Sequence, residues 1–108
     1  MGKFEIKKDN AGEFRFNLKS GNGQVILSSE GYKAKPSCIN GIESVRNNSQ
    51  ADERFERKQT PTGHKFNLKS SNGQIVGTSE VYTTSTAMEK GILSVTKNAP
   101  AATVNDLS

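Results

Sequence analysis

Apolar and polar residues alternate from the start of the chain. Phe4 and Ile6 are interleaved with Glu5 and Lys7, the period-2 pattern of a strand with one buried face. Asp9-Asn10-Ala11-Gly12 then predicts a turn, because Asn and Gly tolerate the positive φ that tight turns need. Alternation resumes with Phe14, Phe16 and Leu18 on one side and Glu13, Arg15, Asn17 and Lys19 on the other. Asn22-Gly23 favours a type I′ hairpin turn, and the stretch from Gln24 to Ser29 reads as a third strand. After that the period changes. Cys38, Ile42 and Val45 recur at i, i+4 and i+7, one face of a helix predicted from Lys35 to Asn48. Pro36 suits its first turn, where the missing N–H costs nothing.

The scheme then runs again. FNLKSGNGQVILSSEGY, from Phe16 to Tyr32, returns as FNLKSSNGQIVGTSEVY, from Phe66 to Tyr82, and the helical endings GIESVRNN and GILSVTKN follow. From Phe16 to Asn48 the offset is constant at 50 residues, and about half of the paired positions are identical. In the second copy Thr60-Pro61-Thr62-Gly63 is the first turn and Asn72-Gly73 the second. The helix starts near Thr84 or Ser85, both able N-caps, and its apolar face is Met88, Ile92 and Val95. One residue is missing before Phe66, a change that fits a loop or strand end. Thr103 to Leu107 reads as a short closing strand. No low-complexity linker separates the halves. The expectation is a single domain over 1–108, with repeat one at 3–53 and repeat two at 54–108.

A unit of about fifty residues hides too little surface to be comfortably stable alone. Each copy is therefore expected to be the other's partner, packed about a pseudo-two-fold axis in a monomer. The fold class is α+β: one antiparallel sheet with two helices on one face. With 31% hydrophobic residues and no Trp, the core should rest on Phe, Ile, Val and Leu.

Composition narrows the chemistry. The single cysteine, Cys38, excludes an internal disulfide and fits a reducing compartment. The first residues lack the apolar run of a signal peptide, and no stretch approaches the ~20 apolar residues of a membrane span. A soluble cytoplasmic protein is expected. The net charge of +4 and pI near 9.3 permit weak attraction to nucleic acid, but the charges are interspersed and form no basic run.

The residues quoted above resemble the YegP-like family, small bacterial proteins of tandem repeats classed as a domain of unknown function. The signature is F-x-L-K-x-x-N-G-Q, then S-E-x-Y and G-I-x-S-V-x-x-N. It stands here as Phe16 to Lys19 with Asn22-Gly23-Gln24, Ser29-Glu30-Gly31-Tyr32 and Gly41 to Val45. It returns as Phe66 to Lys69, Asn72 to Gln74, Ser79 to Tyr82 and Gly91 to Val95. The resemblance implies a β-β-β-α-β unit, two units forming one sheet and exchanging their last strands. It implies no activity. The first copy departs from the pattern in having Lys33-Ala34 where a Thr or Ser helix cap is usual.

Candidate chemistry is sparse. On the face opposite Phe14, Phe16, Leu18, Phe66 and Leu68 lie Arg15, Asn17, Lys19, Lys65, Asn67 and Lys69, since side chains alternate across a strand. These residues are a candidate binding face for an anion or nucleic acid, cations for phosphates and amides for hydrogen bonds. The plainer reading is a solvated sheet face. Stacking aromatics, which single-strand binders present, are missing from it. Ser-Glu-x-Tyr, with Glu30 and Tyr32 or Glu80 and Tyr82, is expected to be structural, and Gly41 and Gly91 are expected to let the helix backbone approach a neighbour. Cys38 and His64 are the only thiol and imidazole. One of each builds neither a zinc site nor, unpaired, a catalytic dyad. The expectation is a non-enzymatic binding or interaction module without catalytic residues, metal or cofactor, its partner a nucleic acid or a protein. The rival within that class is weak, salt-sensitive nucleic-acid binding on the basic face.

Overall fold

The computed structural model describes residues 2–108. Its elements are β1 (Lys3–Lys8), β2 (Phe14–Lys19), β3 (Val25–Ser28), α1 (Lys35–Asn48), β4 (Phe55–Thr60), β5 (Gly63–Lys69), β6 (Ile75–Thr78), α2 (Ser85–Asn98) and β7 (Thr103–Asp106), with 3-10 turns at Asp52–Arg54 and Ala99–Ala101. The seven strands form one sheet in the order β4-β5-β6-β3-β2-β1-β7. The α+β class and the two repeats are as expected, and α1 has the predicted bounds.

Three details correct the sequence reading. The sheet is mixed, because β7 joins β1 in parallel, Lys3 abreast of Thr103 and Ile6 abreast of Asp106. The cause is where α2 ends. Asn98 lies so close to Gly2 that a Cβ there would sit 2.9 Å from the Asn98 Cβ. The chain therefore enters the sheet at the start of β1, where Thr103 N–H donates to Gly2 C=O at 3.3 Å, and runs the same way. Second, the strand exchange is one-sided. β7 crosses to the first repeat, but the matching segment of the first repeat is itself β4, so there is no eighth strand among the described residues. Third, the Asn-Gly turns are not type I′. Gly23 and Gly73 have φ of +85° and +84°, while no residue other than glycine has positive φ among the described residues. Each is a three-residue loop ending in a left-handed glycine, closed by Gly23 N–H to Ser20 C=O at 2.9 Å and Ser20 N–H to Gln24 C=O at 2.9 Å. The Asn22 side chain accepts from the Gln24 N–H at 3.1 Å, which stabilises Asn22 without the positive φ of a type I′ turn. The missing residue falls in the first turn: three residues link Asp9 to Glu13, two link Thr60 to Gly63.

The apolar faces of the strands and of both helices close on one core. Phe4, Phe16, Leu18, Leu27, Ile42, Val45, Phe66, Leu68 and Val95 are fully buried, each large side chain contributing roughly 1.5–3 kcal/mol by leaving water. Phe4 meets Phe16 edge-on at 5.7 Å and Phe55 meets Phe66 the same way at 5.6 Å, a geometry that aromatic quadrupoles favour. The repeats join at a narrow seam, where Ser28 opposite Thr78 is the single residue pair between β3 and β6. Leu27 and Gly77 occupy equivalent places in the two copies, and a Cβ on Gly77 would lie 2.5 Å from Leu27 Cδ2. The dyad has room for one large side chain there, and the sequence supplies one.

Candidate functional site

The Ser-Glu-x-Tyr segments turn out to be a built bulge. Ser29 Oγ accepts from the Phe16 N–H at 2.9 Å and donates to the Glu30 C=O at 2.8 Å. Ser79 does the same with Phe66 at 2.9 Å and Glu80 at 2.7 Å. A side chain thus replaces a ladder bond, and the chain rejoins the sheet one step later through Phe14–Tyr32 and His64–Tyr82 bridges. The returning Tyr32 ring stacks on Phe16 at 6.4 Å, and Tyr82 on Phe66 at 6.3 Å. Both rings cross a helix at its glycine. A Cβ on Gly41 would sit 3.0 Å from Tyr32 Cζ, and one on Gly91 2.8 Å from Tyr82 Cζ. Close approach explains both helical glycines, and burial pushes both phenols above their ordinary pKa.

The face away from the helices is the polar one. Its centre is a row running across the strands: Glu5, Asn17, Ser28, Thr78, Asn67 and Glu56, each abreast of the next. The row is bonded internally, Ser28 Oγ to Asn17 Oδ1 at 2.8 Å and Asn67 Nδ2 to Glu56 Oε1 at 3.1 Å. Two of the expected cations are held by its ends. Lys19 Nζ lies 2.8 Å from Glu5 and Lys69 Nζ 2.9 Å from Glu56. The Lys19 ammonium, then Lys3, holds the Glu5 carboxyl below its ordinary pKa against a burial cost. Asn67, then Lys69, does so for Glu56. Arg15 Nε donates to Asp9 at 2.7 Å, raising the guanidinium's pKa and lowering the carboxyl's. Lys7 and Lys65 have no carboxylate within ion-pair reach among the described residues.

All six expected residues are therefore on strands of this sheet, with Arg15, Asn17 and Lys19 in β2 and Lys65, Asn67 and Lys69 in β5. The two triads are separated by β3 and β6. Sequence reasoning missed the carboxylates that hold the lysines. Alternation in β1 puts Glu5 opposite Phe4 and Ile6, so its side was legible, but its partner depends on register. Two cavities open on this face, of about 340 Å³ and 380 Å³, and both are lined by Arg15, Ser28 and Ser29. The second spans the seam and adds Ile75, Gly77 and Thr78 from the other repeat. A separate cavity of about 430 Å³ lies on the helix side of the seam, between the 20–24 hairpin and Tyr82, Lys90 and Ser94.

Cys38 is buried on α1, and burial pushes its thiol pKa up, away from reactive thiolate. His64 lies on β5, in the other repeat. No group of three or more His, Cys, Asp or Glu suited to hold a metal ion occurs among the described residues, and among them no helix is long and apolar enough to cross a membrane.

Two β-β-β-α units sharing one sheet, closed by a strand that returns to the first, define a tandem-repeat α+β protein. The family model described as a domain of unknown function (DUF1508) matches twice, over residues 9–56 and 62–106, and the chain belongs to that family. A UPF0339 protein of Stutzerimonas stutzeri, named for its place in the 5′ region of a ptx operon, is 63% identical over 57 residues, 53% of this chain and 51% of that one. UPF0339 protein YegP of Escherichia coli K12 is 50% identical over 62 residues, 57% and 56% of the two chains. The chain's match spans about half the length of these relatives. Solution NMR structures of yegP from E. coli and of a UPF0339 protein from Shewanella oneidensis superpose with TM-scores of 0.93 each. They are 48% and 43% identical, each covering 98% of this chain, which covers 92% and 91% of theirs.

Proposed function

We propose that this protein is a non-enzymatic binding module of the cytoplasm that takes a polar, net anionic ligand on the open face of its sheet, across the seam between repeats. The observation that carries the reading is the pair of cavities sharing Arg15, Ser28 and Ser29, one of which draws residues from both repeats. Arg15 supplies a guanidinium whose N–H groups not given to Asp9 and Ser29 can bind an oxyanion in a fixed geometry. Lys7 and Lys8 line the first cavity beside it, with Asp9 and Glu30 as the carboxylates at the two walls. Burial of the single thiol, with its raised pKa, supports binding over catalysis. An unpaired cysteine also fits a reducing compartment.

Nucleic-acid binding through Arg15, Asn17, Lys19, Lys65, Asn67 and Lys69 is the second reading. The presence of Arg15, Lys19, Lys65 and Lys69 on strands of one sheet supports it. The Lys19–Glu5 and Lys69–Glu56 pairs weigh against it, because a phosphate must compete with a carboxylate already 2.8–2.9 Å away. Amide NMR separates the two. Inorganic phosphate, citrate and mononucleotides are titrated first, then a pool of short DNA and RNA oligonucleotides at low and near-physiological salt. Shifts at Arg15, Ser28, Thr78 and Lys7 with small anions, lost in Arg15→Gln, are the expected result. Shifts only with oligonucleotides, fading steeply with salt, would favour the second reading. A silent face in both arms would sink the binding role assigned to it.

A further inference from the structure

The one-sided strand exchange leaves the two ends of the sheet unequal. On β1 the even-numbered residues turn their backbone groups outward, and β7 takes them: Gly2 C=O accepts from Thr103 N–H, and Ile6 C=O from Leu107 N–H at 2.8 Å. The matching residues of β4 are Phe55, Arg57 and Gln59. The Phe55 N–H is held by Asp52 C=O in the preceding 3-10 turn. The Phe55 C=O and both backbone groups of Arg57 and Gln59 face off the sheet, and β4 ends the strand order. This edge has six residues, no bulge and no proline. Its charges are tied into ion pairs, Arg57 with Asp52 and Glu89 beside the helix and Glu56 with Lys69 and Lys58, so that they stand less in the way of an added strand than free edge charges would.

Beside it lies a cavity of about 410 Å³ between β4 and α2, lined by Asp52, Arg57, Glu89, Ile92, Leu93 and Thr96 among others. Leu93 is 53% exposed there. In the first repeat the corresponding edge of β1 carries β7, and the Arg46 guanidinium reaches from α1 over Phe4 to the Ala99 and Pro100 carbonyls just before it. Val104 stands abreast of Phe4, and Asp106, two residues on and so on the same side, reaches Lys35 at the start of α1 at 2.7 Å. The groove and the open edge are thus two aspects of one vacancy, and its pseudo-symmetric twin holds a strand.

We propose that the β4 edge is a peptide-docking site: an extended segment of another protein adds to the sheet parallel to β4, placing an aliphatic, β-branched residue in the groove over Ile92 and Leu93. The mode is strand addition, in which backbone bonds give affinity and an alternate side chain gives specificity. The proposal does not rest on the sheet-face reading, since the face and the edge use different residues.

The probe is a synthetic peptide of residues 99–108 of this chain, the sequence that fills the twin site. It is titrated into the labelled full chain and followed by amide NMR. Shifts along Phe55 to Thr60 and at Leu93, with slowed exchange at the Arg57 and Gln59 amides, are the expected result. Leu93→Lys, a change at an exposed position, should weaken binding about tenfold or more by removing the aliphatic contact. Gln59→Pro, tolerated on an edge, should weaken it by removing an outward N–H. Shifts confined to β1, or none at millimolar peptide, would overturn the proposal. So would concentration-dependent broadening of β4 in the free protein, which would assign the edge to a second copy of this chain.

Discussion

Gly91→Ala tests the packing that both repeats share. In an exposed helix the change would stabilise by ~1 kcal/mol, since alanine has the higher helix propensity. Here the new Cβ would lie 2.8 Å from Tyr82 Cζ and 3.2 Å from Cε2, and nearer still to the hydroxyl, where carbon atoms in contact prefer about 3.5–4.0 Å. The ring cannot simply retreat, because it is stacked on the fully buried Phe66. Overpacking of this kind costs about 1–3 kcal/mol, so after the helix-propensity gain the net expectation is a loss of up to about 2 kcal/mol, or a Tm lower by up to roughly 16 °C. The background decides the sign. In Tyr82→Leu, which lacks Cζ and the hydroxyl, Gly91→Ala should gain about 1 kcal/mol. The double-mutant cycle, read from urea unfolding of the four proteins, should show a coupling of about 1–3 kcal/mol. Gly91→Ala stabilising the unaltered protein, or shifting stability equally in both backgrounds, would refute the packing argument. Gly41 with Tyr32 provides an independent repeat of the experiment.

Three further outcomes follow from the same geometry. Ser29→Ala and Ser79→Ala each leave a buried backbone N–H, of Phe16 or Phe66, without its acceptor, and each should cost about 1–3 kcal/mol in urea unfolding. Asp106 has its carboxyl pulled down to about 2 by Lys35 and then Ser108. A depressed carboxyl stabilises the folded state above its unfolded pKa of about 3.9, and that contribution fades as pH falls through the folded value. Amides of Thr103 to Leu107 should therefore lose protection between about pH 4 and 2, a dependence that Lys35→Met should flatten. Thr84 caps α2 by accepting from the Ala87 N–H at 3.0 Å, whereas Ala34 gives α1 no side-chain cap. Thr84→Ala should then cost about 1 kcal/mol, and Ala34→Thr gain up to as much, by thermal unfolding.

The candidate site was only half legible. Alternation along β2 and β5 was enough to put Arg15, Asn17, Lys19, Lys65, Asn67 and Lys69 on strands opposite the apolar side. Nothing along the chain tells which residue stands abreast of which, because one step of register exchanges every neighbour. Glu5 meeting Lys19, and Glu56 meeting Asn67 and Lys69, are facts of register, and they change a basic face into one whose outer lysines are already held.

For the fold, local pattern sufficed wherever the forces are local. The periods of 2 and 3.6 placed strands and helices, the duplication predicted two equal halves, and Pro36 and Thr84 marked the helix starts. The Asn-Gly turns took a three-residue loop ending in a left-handed glycine, closed locally by the Asn22 side chain on the Gln24 N–H, a form the dipeptide alone does not distinguish from type I′. Tertiary structure decided the rest. The closing strand runs parallel because α2 ends beside Gly2, and where a helix ends relative to a distant strand depends on how the whole core packs. That packing also left β4 uncovered: one stretch of chain cannot be both the last strand of the first repeat and the first strand of the second.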